Sequence, residues 1–203
     1  MIKKELIKNY LTNIKFSKNT KEYNILLKGL LFAINKHNGQ FRRYTNLPYI
    51  LHPIAVSQII QKYKKSKHLS DLMVVGLLHD TLEDTDTNFS EISENFSPFI
   101  ASLVLELTSN KSDIDKIGKL EYIKSKMKGM SSYALTIKLA DRLQNISEQP
   151  TKKMILDTME TMTYLRDVRK LTKPQILLTT KIYDLCENKL KEKLKIEQFN
   201  WKN

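Results

Sequence analysis

The sequence predicts an all-α protein, and three observations carry that expectation. Apolar residues recur at three- and four-residue intervals along most of the chain. Only five glycines and five prolines interrupt its 203 residues, which suits long helices better than a turn-rich β fold. Several apolar stretches are bounded by helix start and stop residues, Ser, Thr or Asn before them and Gly or Pro after them. With 41% hydrophobic and 28% charged residues, the chain can bury one sizeable core but is short for two independent enzymatic domains. A single helical domain over residues 1–203 is expected.

The helices follow in order. Residues 3–14 form the first. Asn19 or Thr20 caps a second over 23–37, where Leu26, Leu27, Leu30, Leu31 and Ile34 keep helical spacing and Asn38-Gly39 supplies a stop. A polar connection over 40–47 leads to Pro48-Tyr49-Ile50-Leu51, read as extended. His52-Pro53 then opens a third helix, with proline in the first turn, which ends in the basic run 62–67. A strongly apolar helix spans 69–82. Thr85 to Ser90 is a polar turn before a short helix ending near Phe96. Ser97-Pro98 begins a helix to Thr108. Residues 109–118 are charged, patternless and read as loop. Leu120–Lys128 with Gly129 as stop, a helix capped by Ser131 or Ser132 and ended by Pro150, and helices over 152–171 and 174–195 complete the chain.

Composition narrows the function classes. No apolar stretch approaches the roughly 18 residues needed to span a membrane, and the amphipathic N-terminus lacks the apolar centre of a secretory signal. Cys186 is the single cysteine, so neither a disulfide framework nor a Cys-rich metal site is expected. The default location is cytoplasmic. The net charge of +12 and pI near 9.6 raise the question of nucleic acid. The excess is lysine dispersed over the whole chain, with no compact arginine stripe, so it argues for an anionic small-molecule partner at least as well as for DNA or RNA.

The stretch Leu77-Leu78-His79-Asp80-Thr81-Leu82-Glu83-Asp84-Thr85 concentrates the chemistry. An apolar run passes directly into one histidine and three acids. On a continuous helix Glu83 lies four residues from His79, and Asp84 lies four from Asp80, so these side chains are neighbours. Carboxylates crowded at a buried helix end need a cation among them; the alternative is an acidic helix end facing water. His52 and Asp141 also stand near ends of apolar helices. Two imidazoles and two carboxylates suit Mn²⁺, Fe²⁺, Co²⁺ or Zn²⁺, although spacing alone leaves each residue open to a structural role.

These segments resemble the HD metal-dependent phosphohydrolases, and more closely the hydrolase domain of the RelA/SpoT alarmone enzymes and the stand-alone small alarmone hydrolases. The resemblance is carried by 33–40 (AINKHNGQ), 48–53 (PYILHP), 77–85 (LLHDTLEDT) and 137–145 (IKLADRLQN), and covers about 26–146. It implies a metal-dependent enzyme that removes the 3′-pyrophosphate of (p)ppGpp using one Mn²⁺, held by His52, His79, Asp80 and Asp141. Glu83 and Asp84 would orient and deprotonate the attacking water, and Arg42, Arg43, Lys138 and Asn145 would contact the anionic nucleotide. Lys138 and Asn145 lie on the Asp141 face of their helix. Arg142 lies off that face and reads as a structural ion-pair partner. His37 reads as packing or support, His68 as exposed, and Met154, Met159 and Met162 as core. Tyr49 fits either beside the base or in the core.

The chain departs from the family in the loop Tyr44-Thr45-Asn46-Leu47, which lacks the glycine usual before Pro-Tyr, and in Gln144 and Ser147-Glu148-Gln149-Pro150. Residues 150–203 do not align with the family's nucleotide-contacting tyrosine and arginine, and leave no room for a synthetase domain. Two other readings therefore stand beside the first. One is an HD phosphohydrolase acting on a different nucleotide (an adenine alarmone, a dinucleotide phosphate or a nucleoside monophosphate). The other is a non-catalytic sensor or nucleic-acid-binding module on the same fold.

Overall fold

The computed structural model describes residues 2–43 and 45–200, with side chains over 4–43 and 45–195. Among the described residues the regular elements are all helices, and the β geometry is an isolated antiparallel bridge between Phe41 and Pro48. None of these helices is long and apolar enough to cross a membrane. The chain divides into two compact units, Met1–Ser109 and Asn110–Asn203.

The first unit contains α1 (Ile2–Asn13), α2 (Lys21–Lys36), α3 (Leu51–Tyr63), α4 (Leu69–Leu78), α5 (Thr81–Asp84), α6 (Phe89–Asn95) and α7 (Pro98–Leu107). Helix α4 is its centre and packs on α2, α3 and α7. Leu72, Met73, Val74, Val75, Leu77 and Leu78 are all fully buried, the pattern of a helix surrounded by protein. Gly76 brings α4 unusually close to α3. A Cβ there would come within 2.6 Å of Ile60 Cδ1 and 3.2 Å of Ser57 Cα. The end of α1 is tied to α3 by Tyr10 and Ser57, whose hydroxyls lie 2.7 Å apart, and by Gln61, which accepts from Lys15 N at 2.7 Å and donates to Asn13 O at 3.0 Å.

Expected caps are present. Thr20 Oγ1 accepts from Tyr23 N at 3.1 Å, and Ser97 Oγ accepts from Ile100 N at 3.2 Å. Two boundaries differ from expectation. Residues 49–50 form a turn, and α3 begins at Leu51. The apolar helix stops at Leu78 instead of running to Leu82, because side chains take over its last carbonyls. His79 Nδ1 lies 2.9 Å from Gly76 O, and Thr81 Oγ1 donates to Leu78 O at 2.7 Å. Glu83 and Asp84 thus belong to the separate turn α5, whose N–H groups turn back to Asp80 O.

The second unit contains α8 (Lys111–Ile117), α9 (Lys119–Gly129), α10 (Ser132–Ser147), α11 (Lys152–Val168) and α12 (Lys173–Asn200). Helices α10 and α11 pack on α12, and α9 packs on α11. Leu135, Leu139, Ile146, Ile155, Met162, Leu165, Leu178 and Ile182 are buried in its core. Met162 is core as expected, whereas Met154 and Met159 are only half-buried. The segment read as loop contains α8. Asn110 caps it by accepting from Asp113 N, with Asp113 near its start and Lys116 near its end, charges placed to complement the helix dipole. It buries no side chain, so no apolar period marks it in the sequence. At the start of α12, Gln175 accepts from Thr172 N at 2.9 Å and donates to Ser132 O at 3.0 Å, joining it to α10.

Candidate metal centre

In the first unit three of the expected ligands converge. His52, on the first turn of α3, and His79, just beyond α4, are each only 2% exposed. Their Nε2 atoms lie 3.3 Å apart. Asp80 Oδ2 is 3.1 Å from His79 Nε2 and 3.5 Å from His52 Nε2. Close passage of α3 and α4 at Gly76 produces this meeting. A backbone carbonyl only accepts, so Gly76 O holds a proton on His79 Nδ1, and in the neutral ring this turns the Nε2 lone pair toward the site. A neutral imidazole lone pair and a carboxylate oxygen at 3.1 Å repel each other; a cation between them reverses the sign.

Tyr49 organises the acids. Its hydroxyl lies 2.6 Å from Asp80 Oδ2 and 3.4 Å from Asp84 Oδ2, and its ring packs on His37 with centroids 4.9 Å apart. The Asp84 carboxyl is held above the ordinary aspartate range, chiefly by desolvation and then by the charges of Asp80 and Glu83, with the Tyr49 hydroxyl opposing them. Glu83 Oε2 accepts from Ser109 N at 2.9 Å. Behind these groups, Gln40 donates to Asp84 O at 2.8 Å and presents its Oε1 to His37 Nδ1 at 2.7 Å. Burial lowers the His37 pKa, with the Gln40 hydrogen bond opposing. His37 therefore supports Tyr49 and Gln40. Sequence reasoning left Tyr49 undecided and did not single out Gln40; the signal was their position beside His52 and His37.

Arg42 stands over the Tyr49 ring, 5.6 Å from its centroid. Its loop is closed by Arg42 N donating to Leu47 O at 2.8 Å and Asn46 N donating to Arg42 O at 3.0 Å. Asn46 has φ +53°, so it supplies the left-handed turn in a loop without glycine; Tyr44 lies outside the described residues. Arg43 is exposed on the same loop. His68 is half-buried rather than exposed, because its ring lies 3.3 Å from Asp71 Oδ2 and packs at a tilt against Phe99.

In the second unit Asp141 is 5% exposed on α10. Lys138 Nζ lies 2.9 Å from its Oδ2, and Asn145 Nδ2 donates to its Oδ1 at 2.5 Å. Both neighbours thus orient the Asp141 carboxylate. The expectation for Arg142 is corrected. Among the described residues it makes no ion pair; its positive charge opposes the burial that raises the pKa of the Cys186 thiol. The residue facing a helix side cannot be read from spacing within that helix.

Two buried imidazoles and an adjacent aspartate at the meeting of α3 and α4 form a donor set of the kind that suits a divalent cation in a helical protein. The chain belongs to the HD domain family, whose model matches residues 30–154. It is 35% identical over 144 residues to the guanosine-3′,5′-bis(diphosphate) 3′-pyrophosphohydrolase of Aquifex aeolicus, 64% of this chain but only 19% of that protein. It is also 35% identical to the guanosine-3′,5′-bis(diphosphate) 3′-pyrophosphohydrolases MESH1 of Danio rerio and Homo sapiens, over 61% of this chain and 68% of each of theirs. The solved structure of a metazoan ortholog of SpoT described as hydrolysing ppGpp shares the fold. It has a TM-score of 0.68 and 24% identity, covering 86% of this chain and 98% of that one.

Proposed function

We propose that the chain is a metal-dependent hydrolase that releases pyrophosphate from the 3′ position of (p)ppGpp, leaving GDP or GTP, and that it has no synthetase activity. The observation that carries this reading is the convergence of His52 Nε2, His79 Nε2 and Asp80 Oδ2 within 3.5 Å, in a chain whose relatives bear that activity in their names. His52, His79, Asp80 and Asp141 would hold one Mn²⁺, with Fe²⁺, Co²⁺ or Zn²⁺ also compatible with an N/O donor set. When bound, the ion supplies Lewis acidity toward water and toward a phosphoryl oxygen.

The remaining work falls to the chain's own groups. Asp84, whose raised pKa makes it a better proton acceptor than an ordinary aspartate, takes the proton from the attacking water. Glu83, positioned by Ser109 N–H, orients that water. Tyr49 holds Asp80 and Asp84 in register. Arg42 and Arg43 neutralise the phosphates, where a guanidinium offers paired donors. Lys138 and Asn145 orient Asp141, and as an ammonium and an amide they carry groups of the kind that contact an anionic nucleotide. The location is proposed to be cytoplasmic.

A second reading keeps the metal site and changes the nucleotide. Gln144 Nε2 on α10 donates to Glu148 Oε1 just beyond the end of that helix at 2.7 Å, so two positions on either side of Asn145 that depart from the family engage each other. Purified protein with Mn²⁺ and a nucleotide panel separates the readings. Pyrophosphate release from ppGpp faster than turnover of adenine nucleotides supports the first. No release from ppGpp beside brisk turnover of another nucleotide establishes the second.

A further inference from the structure

The second unit contains a cleft of about 230 Å³ between α9, α10 and α11, whose lining includes Lys119, Arg142, Lys153, Met154, Asp157 and Thr158. Three of these side chains are cationic and one is acidic. The acid is already engaged, with Asp157 Oδ2 3.1 Å from Lys153 Nζ. Arg142 is half-buried, and among the described residues no carboxylate or carbonyl accepts from it. Thr158 is only 2% exposed, and its hydroxyl is buried without a hydrogen-bond partner. A buried hydroxyl left unsatisfied is destabilising, and a half-buried guanidinium without an anion carries a further desolvation penalty. The first turn of the 17-residue helix α11 also lines the cleft through Thr151 and Lys153, adding the positive end of a helix dipole. These independent features share one remedy, an anion with several acceptor oxygens.

We propose that this cleft is a binding site for a phosphate-class anion, gripped by the Arg142 guanidinium and the Thr158 hydroxyl. Arginine matches two phosphate oxygens at once, and threonine satisfies its own orphaned hydroxyl on a third. The volume is below the roughly 300 Å³ where pockets for drug-sized ligands begin, so the ligand is small. Inorganic pyrophosphate fits, as does the phosphate end of a nucleoside monophosphate lying along Leu120, Ile123 and Met154. Arg142 directly follows Asp141 on α10 but lies off its face, so occupancy of the cleft does not require the metal.

The test is calorimetric titration of the metal-free full chain with inorganic pyrophosphate and, separately, with a purine nucleoside monophosphate, against chloride at matched ionic strength. One saturable site per chain is expected, with the tighter of the two ligands naming the source. Affinity falls ten-fold or more in Arg142→Gln and several-fold in the near-isosteric Thr158→Val, and is unchanged in Asp80→Ala. Should Arg142→Gln fail to fold, Thr158→Val carries the same expectation. Equal affinity in both cleft variants, loss of binding in Asp80→Ala, or heats reproduced by chloride would each overturn the proposal.

Discussion

His52 Nε2 and His79 Nε2 approach to 3.3 Å across the packed faces of α3 and α4, with Asp80 Oδ2 beside both. Donor atoms this close favour a cation, so the metal should stabilise the fold as well as serve the reaction. At a free Mn²⁺ concentration 100 times its Kd, linkage adds about 2.7 kcal/mol, or a rise in Tm of roughly 5–10 °C for a chain of this size. Thermal scans with chelator and with Mn²⁺ check this. The gain should vanish in His79→Ala and Asp80→Ala.

Glu83 and Asp84 are assigned to water and not to the metal. Glu83→Ala and Asp84→Ala should each keep the bound cation and lose turnover by about 10²–10⁴-fold, the usual worth of a positioned acid or base. Metal content and kcat measured on the same preparations decide this. Loss of metal in both variants would make these acids supports of the site.

Tyr49 supplies the pH test. Asp84 acts as a base only when ionised, and its pKa already lies above the ordinary range, so the acid limb of kcat is displaced toward higher pH. The Tyr49 hydroxyl favours the ionised form. Tyr49→Phe should therefore raise the Asp84 pKa and move the limb further up, while kcat at neutral pH falls by about ten-fold. A limb that stays in place in Tyr49→Phe would remove Asp84 from the role of base.

Gly76 sets the spacing that brings the histidines together. Gly76→Ala places a methyl against Ile60 Cδ1 and against the Ser57 backbone. Ile60 can move, but the Ser57 backbone yields less readily, so overpacking should cost about 1–3 kcal/mol and weaken Mn²⁺ binding. Ile60→Val in the same chain should recover only part of the loss. Denaturant unfolding and metal titration measure both effects.

Much of this was legible in the chain. His79-Asp80 stands out because an apolar helix runs directly into charge, and caps such as Thr20, Ser97 and Ser131 lie where their residue types indicate. Other features were hidden for physical reasons. Helix α8 has no buried face, so nothing periodic marks it. The stop at Leu78 comes from His79 and Thr81 side chains capturing carbonyls, which the apolar pattern does not encode. Arg142 lies off the Asp141 face as its register implies, but an ion-pair partner would have to come from another helix, and among the described residues none does. Tyr49 joins Asp80 to Asp84 through a turn that read as an extended segment.

The central claim is tested most directly by following ppGpp and the purified chain by phosphorus NMR with Mn²⁺ present. The account predicts equal amounts of GDP and pyrophosphate, release that stops with chelator, and no turnover in Asp80→Ala. Cleavage to inorganic phosphate instead, or turnover that survives in Asp80→Ala, would contradict it.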